Sequence, residues 1–297
     1  MTAVAGETDR WHRWLMDTRF GGDPAYREHD LTEFLYPVRD AVLDKAQLAP
    51  GQTLLDVGTG DGLVGFGALD RLGVSGRVIF SDISADLLDR CQKVAASENV
   101  LDRCSFLQTS ADRLDGVLAS SVDVVTTRSV LIYVKDKLTA LTQFHRVLRP
   151  HGRVSLFEPV NALMSVADPD LFFGYDVTPV RDLADRVKAV YTAIQPPGED
   201  PMLDFDDRDL VRLARQAGFP DVRLELQVSV RAQTDPTPWD RFMNTAGNPL
   251  IPTFAQALDQ ALSRTEGARF ADHLRPLVES GHGLARTAFA YLTATKN

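Results

Sequence analysis

The 297-residue chain is poor in cysteine, with only Cys91 and Cys104. Two thiols so placed make neither a disulfide framework nor a C-x-x-C metal knuckle, so both are expected to be reduced and packed. Histidine is also scarce, six in all; His145 and His151 alone do not make a metal site, and no metal is expected. Basic charge falls short of acidic, 32 Lys and Arg against 41 Asp and Glu, a net −9 that disfavours a phosphate backbone and hence nucleic acid as partner. No stretch approaches the roughly 18 apolar residues of a membrane span. Met1–Asp9 lacks the basic-then-apolar pattern of a leader. A cytoplasmic protein with no membrane partner is the resulting expectation.

What the chain does carry is a glycine turn after an apolar strand, Leu54-Leu55-Asp56-Val57-Gly58-Thr59-Gly60-Asp61-Gly62. Glycine tolerates positive φ and lets a ligand approach the backbone, and the turn opens a helix at the carboxyl edge of a parallel sheet, where ligand crevices lie. Two cofactors fit this string. Gly60, Gly62 and Gly65 satisfy G-x-G-x-x-G, the dinucleotide fingerprint of a nicotinamide oxidoreductase, if the strand runs on to Gly60 and buries Asp56. Alternatively Thr53–Val57 is the strand, with Asp56 and Gly58 at its rim. The next strand, Arg77 to Asp82, ends in an acid about twenty residues on, the spacing of a ribose-binding carboxylate. Ser84 and Asp86 can cap the following helix, which frees Asp82 for a ligand.

Asp56 to Gly62 resembles the D-x-G-x-G-x-G motif of class I S-adenosylmethionine-dependent methyltransferases. Two later segments extend the likeness: Ser110-Ala111-Asp112 after a third strand, Cys104–Thr109, and Arg146-Val147-Leu148-Arg149-Pro150-His151-Gly152 before a fifth, Val154–Glu158. The dehydrogenase reading explains the first two matches and not these. The resemblance implies S-adenosylmethionine as cofactor and an α/β fold: a Rossmann-like, doubly wound, seven-stranded, mostly parallel sheet with strand seven antiparallel. It implies that Gly58, Thr59, Gly60 and Gly62 pack under the methionine part and that Asp56 answers its ammonium group. Asp82, beside Ile83, would hold the ribose, and Ala111 and Asp112 would meet the adenine. Arg128 and Ser129, after the fourth strand, Val122–Thr127, complete the expected contacts, with Arg128 suited to a carboxylate.

Around this core (51–160) the sequence suggests an N-terminal helical lid (1–50), an insertion (161–206), a continuation of the core (207–232), a helical cap (233–284) and a last core strand (285–297). A helix is expected to follow Thr178-Pro179, another to stop at Gly218, and the alternation Val222, Leu224, Leu226, Val228, Val230 predicts strand six. A break is expected in the lid near Pro37.

Methyl transfer from a sulfonium asks for exclusion of water and alignment, and for a base only where the acceptor must lose a proton. Glu158, at the end of strand five, is the first candidate base, with His29 a second and Tyr133 a phenolic contact. Tyr36, Arg39, Asn161 and Tyr175 are the expected substrate contacts. The expected activity is methylation, first of oxygen, on a small metabolite or peptide. N- or C-methylation and a non-catalytic cofactor-binding interaction protein stand as alternatives. The cap serves either substrate selection or a homodimer interface.

Overall fold

A computed structural model describes residues 9–164 and 168–297. Residues 1–8 of the expected lid and 165–167 of the expected insertion lie outside that description. Seven strands form the main sheet: β1 (Thr53–Val57), β2 (Arg77–Asp82), β3 (Cys104–Gln108), β4 (Val122–Arg128), β5 (Leu148–Pro159), β6 (Asp221–Gln233) and β7 (Gly283–Thr295). Their order is β3-β2-β1-β4-β5-β7-β6. The first five run parallel, and β7 lies antiparallel between β5 and β6, as the resemblance implies. The order reverses between β1 and β4, which opens a crevice at their carboxyl ends.

Alternation along the strands sorts side chains into two cores. Val125, Val154, Leu156 and Leu292 face one side, where α6 (Lys137–Val147) and α9 (Asp207–Gln216) cover them. Leu54, Val78, Phe80 and Phe157 face the other, against α3 (Tyr36–Ala46), α4 (Leu63–Ala68) and α5 (Ala85–Ser97). A short helix, α7 (Asn161–Met164), follows β5. A third core lies off the sheet. There α8 (Arg181–Ile194) packs with α11 (Phe254–Ala261) and α12 (Arg264–Ser280) around Phe172, Leu183, Phe254 and Phe270. The expected insertion and cap therefore share one hydrophobic core.

The N-terminal segment, the expected lid, begins with α1 (Arg10–Met16), capped by Asp9, whose carboxylate accepts from His12 N at 2.8 Å. It continues through α2 (Pro24–Asp30) and a π-helical stretch, Leu31–Leu35, into α3. Pro37 does not break α3: it sits in the first turn, where no backbone N–H is required, and the irregularity falls in the π stretch before it. The lid is tied on two sides. Ser84 Oγ donates to Asp9 at 2.6 Å on the core, and Trp14 Nε1 donates to Ala246 O at 2.9 Å, just beyond α10 (Trp239–Asn244) of the cap.

Candidate functional site

β1 ends at Val57 and the chain turns through Gly58 and Gly60, both at positive φ (62° and 60°). A Cβ on Gly58 would come within 2.4 Å of Val130, so only glycine allows the approach of these two loops. Asp56 does not reach the rim. Its carboxylate is buried inside the turn, where it accepts from Thr59 Oγ1 at 2.6 Å, Gly65 N at 3.1 Å and Thr126 Oγ1 at 3.0 Å. Burial pushes its pKa up to about 6 against these bonds. The expectation that Asp56 meets a ligand is thereby corrected: it braces the turn from beneath. Thr59 is drawn under with it and, like Gly62, lies off the cavity.

Above the turn opens a cavity of about 590 Å³. Gly58, Gly60, Asp82, Ile83, Ala111, Asp112, Arg128 and Ser129 line it, as do Tyr133 and Asn161. Asp82 spans two loops, accepting from Gly60 N and Ser84 N at 2.9 Å each. Each carboxylate oxygen keeps acceptor capacity for a ligand hydroxyl. Burial raises the Asp82 pKa against those two bonds. Asp112 accepts from Ser110 Oγ at 2.5 Å beside the exposed Ile83.

Five more expected site residues lie elsewhere. Glu158 is fully buried and accepts three backbone N–H bonds, from Val130 (3.0 Å), Leu131 (2.9 Å) and Ile132 (3.1 Å). Burial lifts its pKa to about 7 in spite of them. It holds the loop after β4 in place and cannot touch an acceptor, so it is not the base. Strand parity carried this signal: Glu158 shares a face with Val154 and Leu156, while Phe157 and Pro159 line the cavity. His29 is exposed on α2, near Tyr26 and off the cavity. Tyr36 and Arg39 sit one turn apart on α3, where the guanidinium lies 4.5 Å over the phenol ring and bonds Asp40. Tyr175 is buried in the cap core, not at the site.

The rest of the cavity comes from residues not expected there. Trp11, Trp14, Leu15 and Arg19 project from the lid, Phe34 from the π stretch, and Met202, Ala246 and Phe289 from segments late in the chain. The spacing 11, 14, 15 is that of one helical face, the only local signal available. Trp11 meets Tyr133 edge-on at 5.0 Å. Burial pushes the Tyr133 phenol up to about 12, so it stays protonated. Arg19 lies 3.7 Å from Asp30, and its pKa falls to about 10 through burial and the nearby Arg128 charge, so it remains a cation. Two guanidiniums thus share one wall.

The donor set fits S-adenosylmethionine: a turn that glycine alone allows, a carboxylate with free acceptor capacity at the end of β2, and a polar edge at Ser110–Asp112. Residues 48–195 match the sequence model of a methyltransferase domain. The chain is 37% identical over 129 residues to nocamycin O-methyltransferase of Saccharothrix syringae, covering 43% of this chain and 45% of that protein. It is 35% identical over 130 residues to the ubiquinone/menaquinone biosynthesis C-methyltransferase UbiE of Hahella chejuensis, covering 42% and 51%. The chain thus spans about half the length of these relatives. Among solved structures, the YcgJ protein of Bacillus subtilis shares the fold, with a TM-score of 0.55 over 88% of this chain and 99% of its own at 13% identity. Motif, sheet order and domain match agree, and the chain belongs to the class I S-adenosylmethionine-dependent methyltransferases.

Proposed function

We propose that the protein methylates an anionic oxygen, first of all a carboxylate, on a small metabolite. The observation that carries this is the cationic wall of the cavity, with the expected bases Glu158 and His29 lying off it. Arg19 and Arg128 face the cavity together, with Lys135 at the same lining; among the described residues no histidine lines it, Glu158 is sealed off, and the Tyr133 phenol is held protonated. An amine or alcohol would profit from a base within hydrogen-bond reach, whereas a carboxylate arrives already ionised. Guanidiniums fork onto carboxylates, and the partial burial of this pair strengthens the attraction. The relatives include an O- and a C-methyltransferase and so leave the atom open.

S-adenosylmethionine, when bound, supplies a methyl group on a positively charged sulfur. The chain's own residues do the rest. Asp82 accepts from the ribose hydroxyls, Asp112 meets the adenine amino group, and the Gly58–Gly60 turn lies against the methionine part. Trp11, Trp14 and Phe34 keep water out, and Asn161 supplies a polar contact to the acceptor. A cavity of about 590 Å³ under lid and cap suits a small acceptor better than a peptide.

The test is a panel of small aromatic carboxylic acids beside their amides and amines, with S-adenosylhomocysteine formation as readout. Acids alone should turn over, and Arg128→Met should raise their Michaelis constants roughly ten- to a hundredfold, the loss of one charged hydrogen bond. Turnover of amines with Arg128→Met unimpaired would overturn the assignment.

A further inference from the structure

The two edges of the main sheet are unlike. β3 is five residues long, whereas β6 runs 13 residues, from Asp221 to Gln233, unbroken in its pairing with β7. Proteins blunt a long edge with proline, a bulge, inward charge or a covering element. β6 has no proline and no bulge, and among the described residues no strand lies beyond it. Its near end is covered on one face by α9, through Val222 and Leu224. Past that helix the same face continues as Leu226, Val228 and Val230, which are 38%, 51% and 53% exposed. In the cap, Phe254, Leu258, Phe270 and Leu274 are consumed in its own core.

We infer that β6 pairs antiparallel with β6 of a second copy, across a two-fold axis through Val228. The occupant is argued from register and charge. A two-fold pairing centred on Val228 sets Leu226 opposite Val230 of the other copy and Val228 opposite its counterpart, so the exposed apolar residues meet one another. On the other face it sets Glu225 opposite Arg231, twice, by symmetry. Centring on Gln227 instead sets Arg223 against Arg231, a like-charge pair that opposes association. Centring on Leu226 would bring Val222 and Leu224, already under α9, against Val228 and Val230. Of these three registers, the one centred on Val228 alone matches both charge and exposure. Glu225 also accepts from Lys45 at 2.5 Å, and its second oxygen remains for the partner's arginine. The expected dimer thus forms through the sheet edge and leaves the cap free at the cavity mouth.

Sedimentation of the full chain, from about 1 to 100 µM, should show a monomer–dimer equilibrium. Val228→Lys places two like charges face to face at the axis and should weaken the dimer roughly tenfold or more with the melting temperature of the monomer unchanged. The register is read by charge reversal. Glu225→Arg and Arg231→Glu should each be monomeric alone, and the two variants mixed should form a heterodimer. Oxidised Val228→Cys should crosslink to itself, whereas Leu226→Cys should crosslink only with Val230→Cys. A monomer throughout the concentration range overturns the inference. So does a dimer that Val228→Lys leaves intact, or one in which the mixed charge variants fail to associate.

Discussion

The two walls of the cavity are made of different material. Along the glycine turn the wall is backbone and carboxylate: Gly58 and Gly60 present peptide groups, and Asp82 ties them to the next strand through Gly60 N and Ser84 N. Its supports, Asp56 and Cys91, lie directly beneath. Along the lid and cap the wall is side chain: indoles, phenyl rings, methionines and two guanidiniums from segments more than two hundred residues apart, such as Trp14 and Phe289. Under the proposed function, the difference gives each wall its role. A ligand common to a family can be met by a local turn, because its shape dictates the backbone. A particular acceptor has to be met by side chains gathered from wherever the fold brings them.

Glu158 crosses this division, and removing it should produce the largest effect. It grows from the core sheet, yet the three N–H groups it accepts belong to the loop that carries Tyr133 to the side-chain wall of the cavity. Glu158→Ala leaves those donors buried without partners and should cost roughly 3–6 kcal/mol in urea unfolding. The milder Glu158→Gln turns an amide donor toward one of them. Its pH behaviour separates support from catalysis. The ordinary glutamate value of 4.5 rises to about 7 on folding, so the native state holds this proton more tightly than the unfolded chain. The stability due to that proton is fully present below about pH 4.5 and is lost as pH rises through about 7. The gap between wild type and Glu158→Gln should therefore narrow over that window, by roughly 3 kcal/mol, while the pH–rate profile keeps its shape. A gap that widens, or a rate limb abolished by the glutamine, would return Glu158 to the acceptor side.

The second prediction isolates the glycine-turn wall. Asp82→Ala should weaken S-adenosylhomocysteine binding by roughly 1.5–3 kcal/mol, about ten- to a hundredfold, with acceptor affinity little changed. Calorimetry with the homocysteine product and with NAD decides. Tight NAD binding with no response to the product would show that the turn serves a dinucleotide. Equal losses for cofactor and acceptor would erase the distinction between the walls.

How far the chain announced this depended on the same division. The strand order and the antiparallel β7 followed from motifs that recur in one sequence of elements, and Asp82 followed from its distance to the turn. Asp56 and Glu158 depart from the sequence expectation because an acid at a strand's end reads alike whether it faces a crevice or turns inward. What decides is the set of donors waiting there, Thr59, Thr126 and Gly65 for one and the 130–132 backbone for the other. Tyr36 and Arg39 lie off the expected site because an amphipathic helix shows which residues share a face and not which neighbour that face meets. Arg19 had no signal of its own. Its place depends on Trp14, Asp30 and Arg128, which only the folded chain brings together.

The smallest expected effect tests whether lid and cap act as one wall. Trp14 Nε1 donates to Ala246 O at 2.9 Å, and Ala246 N donates to Thr18 O at 3.0 Å, so the lid and the segment after α10 are stitched by two bonds side by side. Trp14→Phe removes the first, keeps an aromatic face on the cavity, and should cost about 1 kcal/mol, roughly fivefold in the closing equilibrium. Hydrogen exchange is the suitable readout because local opening is far below global unfolding in free energy. If the stitch is cooperative, exchange should quicken together in residues 10–20 and 239–247, with β1 and β2 unchanged. Quickening in the lid alone would mean that the cap holds its position without it, and that the acceptor wall is two independent pieces that the ligand itself must draw together.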